Sequence, residues 1–142
     1  MCAKLSRGLR NLNPGNIRHS SVKYKGEREK TTDKEFKQFR TIEEGYRAMF
    51  VLLYTYCLKG FDTIERIIER YAPPSENNTE AYINRVCRLT FIPRNQVLDT
   101  SDRAQMSILV SAISLVENCA IADDEQIASG WRMFACDYLD QH

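Results

Sequence analysis

Asn11, Asn13 and Asn16 fall within one short stretch, Asn11-Leu12-Asn13-Pro14-Gly15-Asn16-Ile17-Arg18. Pro14 fixes its φ and lacks an N–H, while Gly15 and the asparagines tolerate left-handed backbone, so this stretch reads as a loop. Side-chain amides offer paired donors and acceptors, which match a ligand rich in hydroxyl and acetamido groups, such as a glycan. Cleaving a glycan requires a carboxylic acid held protonated near the leaving oxygen, in partly apolar surroundings. Glu117 has that setting: it follows Ile113-Ser114-Leu115-Val116 at the end of an apolar helical pattern and precedes Asn118. Glu44 is the second candidate acid, although Thr41-x-x-Glu44 is a capping box and that role alone accounts for it. Glu27, Glu29 and Glu35 lie where a second carboxylate could sit, or else form a solvated charged turn. Asn77-Asn78-Thr79 holds more polar side chains than the one N-cap a helix start needs, which makes Asn77 and Asn78 candidate ligand contacts. Tyr71 and Tyr82 bracket that run, either as rings that stack on sugars or as core residues.

The elements that must position these residues follow from periodicity. Val22-Lys23-Tyr24-Lys25 and Phe36-Lys37-Gln38-Phe39 alternate around a charged turn, which predicts a β-hairpin over 22–40. From Thr41 the period becomes helical, with Tyr46, Met49, Phe50, Leu53 and Tyr56 on one face and Gly60 as the stop. Asp62-x-x-Glu65 predicts the cap of a second helix, which Pro73-Pro74 ends. A third helix carries Tyr82, Ile83, Val86 and Leu89. A fourth starts at Ser101 or Asp102, and a last one spans Glu125 to Leu139.

Length and composition describe an ordinary globular chain of 142 residues, 43% hydrophobic and 27% charged. No apolar run approaches the roughly 18 residues of a membrane helix, and no hydrophobic signal segment is expected at the start. The net charge of +1 hides an asymmetry: residues 1–40 carry eleven Lys/Arg against four Asp/Glu, the remainder nine against fifteen. Such a basic segment can meet nucleic acid or an anionic wall. Its basic residues alternate with acids and carry no DNA-reading motif, which argues against nucleic acid. The five cysteines are widely spaced and unpaired, so Cys57, Cys87, Cys119 and Cys136 are expected as buried thiols within helices. With His19 and His142 as the sole histidines and no Gly-rich phosphate loop, no metal or cofactor is expected.

The order of motifs resembles a known family. Arg7-Gly8-Leu9-Arg10 runs into the amide stretch, followed by Tyr24-Lys25-Gly26, Phe36-x-x-Phe39 and Glu44-Gly45-Tyr46-Arg47-Ala48. Tyr71-Ala72-Pro73-Pro74-Ser75-Glu76-Asn77-Asn78-Thr79 completes the run. This is similar to small phage and prophage virion proteins with the opening Arg-Gly-x-Arg-Asn-x-Asn-Pro-Gly-Asn-Ile-Arg. The resemblance covers residues 7 to about 118 and implies a virion structural protein of a family suspected of degrading peptidoglycan. More distantly, the sequence resembles bacterial wall glucosaminidases of the lysozyme-like superfamily, with Tyr24 where those enzymes have Trp. Those enzymes carry their catalytic glutamate on a helix before the Asn-Leu turn, where this sequence has ten residues and no acid. The resemblance therefore implies a permuted site, with the acid at Glu117 on a late helix.

The expected fold is α+β, mainly helical and lysozyme-like, as a single domain over residues 1–142. Residues 1–40 would form the Asn-rich loop and a small β-hairpin lobe, and 41–142 a lobe of four to five helices. The expected function is a peptidoglycan glycosidase or lytic transglycosylase cleaving a β-1,4 bond between amino sugars. Glu117 or Glu44 would be the acid, with Asn11, Asn13, Asn16, Arg18, Tyr24, Asn77, Asn78 and Tyr82 lining the site. The alternative is a non-catalytic virion structural protein that binds wall glycan or other virion proteins. Either would be made without a signal peptide and act from the virion or at the cell wall after release.

Overall fold

The computed structural model describes residues 5–73 and 78–140. It contains six helices: α1 (Arg7–Arg10), α2 (Ile42–Leu58), α3 (Ile64–Tyr71), α4 (Thr79–Thr90), α5 (Arg103–Asn118) and α6 (Asp124–Tyr138). Each of the last five starts where a short polar side chain accepts a backbone N–H, at Thr41, Thr63, Asn78, Asp102 and Asp123. The cap of α3 is Thr63, one residue beyond the Asp62 that the spacing suggests. Gly60 follows the end of α2 at φ +92°, a conformation that glycine takes without steric cost.

Residues Gly45 to Val51 of α2 are all buried, so this half of the helix is enclosed on every side. Its most extensive partner is α6. There Phe50 meets Trp131 edge-on at 5.2 Å between ring centroids and stacks on Phe134 at 5.8 Å. Helix α5 packs against α4 and reaches α1, which brings the C-terminal end of α5 to the N-terminal loop.

The β-hairpin lobe does not form, and among the described residues the fold is all-helical rather than α+β. Within residues 22–40 there is one isolated antiparallel bridge, Glu27 to Phe39, and a second joins Phe36 to Arg18 in the preceding loop. Side chains take the place of a ladder, because short polar and charged groups compete for the backbone donors and acceptors. The Asp33 carboxylate accepts from Arg7 Nε at 2.7 Å, Arg7 Nη2 at 2.8 Å and Asn11 Nδ2 at 2.9 Å. It also accepts the backbone N–H groups of Glu35 and Phe36, each at 2.9 Å. Lys37, with no exposed surface, sends its ammonium inward to Val22 O at 2.9 Å and to both Glu27 oxygens at 3.1 and 2.9 Å. Three of the segment's four acids, Glu27, Asp33 and Glu35, are thus paired within it, and the excess of basic residues remains.

None of the four thiols expected as buried is fully buried. Cys57 and Cys87 are half-buried, whereas Cys119 and Cys136 are exposed, and all four are free. Cys119 falls at the left-handed residue that ends α5, outside the helix's apolar face.

The Asp33 hub makes the segment acid-sensitive. Arg7 is the main cause that holds the Asp33 carboxyl well below the usual carboxylate range, reinforced by the Phe36 N–H and the Asn11 amide. Its stabilisation is complete above the ordinary value of 3.8 and is lost as pH falls toward the depressed folded value. Thermal unfolding followed from pH about 6 to about 2 is expected to show this loss, and Asp33→Asn to flatten the acid limb.

Candidate functional site

Helix α5 delivers Glu117 and Asn118 to the amide loop, 101 residues away in sequence from Asn16. Asn16 Nδ2 donates to Glu117 Oε1 at 2.8 Å, and the Tyr82 hydroxyl donates to Glu117 Oε2 at 2.7 Å. Both carboxylate oxygens are therefore held, one from the loop and one from α4. Burial, and next the charge of Glu117, push the Tyr82 phenol well above its ordinary value, so it keeps its proton at all working pH values. Asn118 ties the same helix end to the loop. Its Nδ2 donates to Pro14 O at 2.8 Å and Ser114 O at 2.9 Å, while its Oδ1 accepts from Ser6 Oγ at 2.6 Å.

Asn16 carries two local costs. Its backbone sits at φ +49°, and its Oδ1 is buried without a hydrogen-bond partner. Both accompany the orientation that aims its Nδ2 at Glu117. The neighbouring Gly15 carbonyl accepts from the Tyr71 hydroxyl, whose phenol burial also pushes well above the ordinary value. A Cβ on Gly15 would overlap that hydroxyl and come within 2.8 Å of Met49 Cγ. Gly15→Ala is therefore expected to destabilise the chain by about 1–3 kcal/mol, measured by urea unfolding, as the loop backs away from α2 and α3.

Beside Asn16 lies a cleft of about 230 Å³ walled by Arg18, Tyr24, Leu52, Tyr56, Arg70 and Tyr71. Tyr24 is half-buried, and burial, then the nearby Tyr56 and Glu27, push its phenol up to about 12. A larger hollow of about 660 Å³ lies between α5 and α6, near Ser107, Ser111 and Ile127. None of the amide-loop residues lines it, so the smaller cleft is the better candidate despite its size. Among the described residues, no group of three His, Cys, Asp or Glu side chains could hold a metal ion.

The residues singled out from sequence divide into two sets. Asn16, Arg18 and Tyr24 line the cleft, whereas Tyr82 and Glu117 are outside its lining and connect to it through Asn16. Asn11 and Asn13 are buried and spend their amides inside the fold. Asn11 bridges Asp33 and Gln38, while Asn13 binds the Ile17 and Lys37 carbonyls and the Ile17 N–H. Asn78 caps α4, and Asn77 lies outside the described residues. Glu44 caps α2: its N–H donates to Thr41 Oγ1 at 3.1 Å, its carboxylate accepts from the same hydroxyl at 3.0 Å, and that carboxylate packs over Gly26. Glu27 is committed to Lys37, and Glu35 to Arg7 and Arg18. Tyr56, Arg70 and Asn118 were not legible as site residues. For Asn118 the available signal was its position directly after the candidate acid at a helix end.

No family model matches the chain. It is similar to a bacteriophage protein. That relative is Protein P5 of Pseudoalteromonas phage PM2, with 48% identity over 98 residues, covering 66% of this chain and 61% of the relative. The chain thus spans less than two thirds of that protein's length. Among the described residues, no helix is long and apolar enough to cross a membrane.

Proposed function

We propose that this chain is a phage virion protein that cleaves peptidoglycan, with Glu117 as the general acid for a β-1,4 bond between amino sugars. The observation that carries this reading is the Glu117 carboxylate, held between Asn16 and Tyr82, with Asn16 itself lining the neighbouring tyrosine-rich cleft. The buried, unpartnered Oδ1 of Asn16 supports it, since unsatisfied polar atoms of this kind call for an explanation such as a working site. A phenol hydroxyl can donate to a carboxylate or accept from a carboxylic acid. Tyr82 can therefore keep Glu117 in one rotamer through both protonation states.

Among the described residues, none that lines the cleft is a carboxylate. The developing positive charge on the sugar would then be met by the substrate's own acetamido group. Glu117 would protonate the leaving oxygen and afterwards take a proton from water, giving hydrolysis, or from a sugar hydroxyl, giving a lytic product. The cleft tyrosines offer faces on which sugar rings stack.

The test is clearing of purified peptidoglycan by the full chain. Loss of clearing in Glu117→Gln with retention in Glu44→Gln supports the reading, and the reverse pattern moves the acid to the α2 cap. If the chain sediments with peptidoglycan but never clears it, the protein is a wall-binding virion component. The fully hydrogen-bonded Glu117 would then be a structural tie.

A further inference from the structure

Two guanidinium side chains line the cleft. They belong to Arg18 and Arg70, and among the described residues no Asp or Glu lines it. Arg18 is balanced at 3.5 Å by Glu35 and stacks over Phe36, with its guanidinium carbon 5.0 Å from the ring centroid. Arg70 differs: among the described residues no carboxylate lies within ion-pair distance of it. It is held by rings instead, its guanidinium carbon 4.3 Å from the Phe61 centroid and 5.7 Å from that of Tyr56. Stacking orients a guanidinium without neutralising it, so its fork of donors stays available to a ligand. Tyr56 and Tyr71 lie in the same wall, so a sugar ring and an anion can be met side by side.

A neutral polymer of N-acetylglucosamine has no use for such a wall. Resting on the glycan-cleaving reading above, we infer that Arg70, backed by Arg18, selects glycan that carries carboxylates, and so distinguishes peptidoglycan strands from chitin-type strands. The carboxylate has two possible sources: the lactyl group of the muramyl sugar in strands stripped of peptide, or the acidic groups of the stem peptide. Both present the planar oxygen pair that a guanidinium binds in bidentate fashion.

The experiment measures binding rather than turnover. Titration calorimetry on the Glu117→Gln full chain compares three soluble ligands of equal sugar length: peptide-free glucosaminyl-muramyl oligomers, the same oligomers bearing stem peptides, and chito-oligosaccharide. At least one carboxylate-bearing ligand is expected to bind about tenfold tighter than the chito-oligosaccharide, the scale of one charge-assisted contact. Arg70→Gln removes that difference and Arg70→Lys restores part of it, read in each variant as the ratio of the two affinities so that any common loss from the altered wall cancels. Preference for the peptide-free oligomer assigns the lactyl group, and preference for the peptide-bearing one assigns the stem. Arg18→Gln, on a separate segment, gives a smaller loss of the same sign and guards against misfolding of one variant. Equal binding of all three ligands, or a preference indifferent to Arg70, overturns the selectivity while leaving glycan binding intact. Binding of none of them overturns both readings together.

Discussion

Glu117→Gln is expected to lower the rate of peptidoglycan clearing by about 10²–10⁴-fold, the usual contribution of a positioned general acid. Gln keeps the length and rotamer of Glu, and its carbonyl still accepts from Asn16 Nδ2 or Tyr82 Oη, so one of the two contacts survives. The variant cannot give up a proton, and it should fold. Circular dichroism and urea midpoint should therefore stay close to wild type while clearing disappears. Tyr82→Phe separates proton donation from positioning. It leaves the carboxylate but deletes one of its two anchors, so the rate should fall less than in Glu117→Gln while its pH profile changes shape. Equal clearing by wild type and Glu117→Gln would remove Glu117 from the chemistry.

The second large effect concerns stability. Lys37 has no exposed surface and its partner Glu27 is 4% exposed, with Nζ to Oε2 at 2.9 Å. Burial raises the Glu27 carboxyl, but the Lys37 ammonium and the Tyr24 N–H outweigh it and hold the group below its ordinary value. Lys37→Met leaves the Glu27 carboxylate with the Tyr24 N–H and the exposed Lys23 ammonium 3.5 Å away, and is expected to cost about 3 kcal/mol, measured by urea unfolding. That is a large share of the roughly 5–15 kcal/mol available to a domain. The double variant Glu27→Gln with Lys37→Met removes both charges together and should recover a substantial part of the loss. A loss in Lys37→Met no larger than that of an exposed pair, about 1 kcal/mol or less, would show that the pair is solvated in solution. Tyr24 stands at this pair, its ring 5.6 Å from Lys37 Nζ, so loosening it also opens one wall of the cleft.

The resemblance in the motifs and the similarity to Protein P5 of a phage point to the same class of proteins. The lysozyme-like α+β expectation fails at residues 22–40. Alternation of Val22, Tyr24, Phe36 and Phe39 with charged residues is the pattern of a half-buried hairpin. That pattern cannot say whether the charges face water or each other. Lys37 and Glu27 turned inward, and Asp33 captured Arg7, Asn11 and two backbone N–H groups. Once side chains satisfy those groups, a continuous ladder has nothing to close.

Read alone, the sequence marked the five long helices to within a residue or two, because caps, glycine stops and apolar periodicity act within a few residues, but it did not mark the short α1. It also marked the amide loop and Glu117 as places where chemistry could reside. Only the tertiary structure decided which amides face the cleft. Asn13 and Asn16 are three residues apart and chemically identical, yet one is sealed among carbonyls and the other is aimed at Glu117. That choice depends on which groups α4 and α5 bring to the loop, and such long-range packing leaves no mark in local sequence.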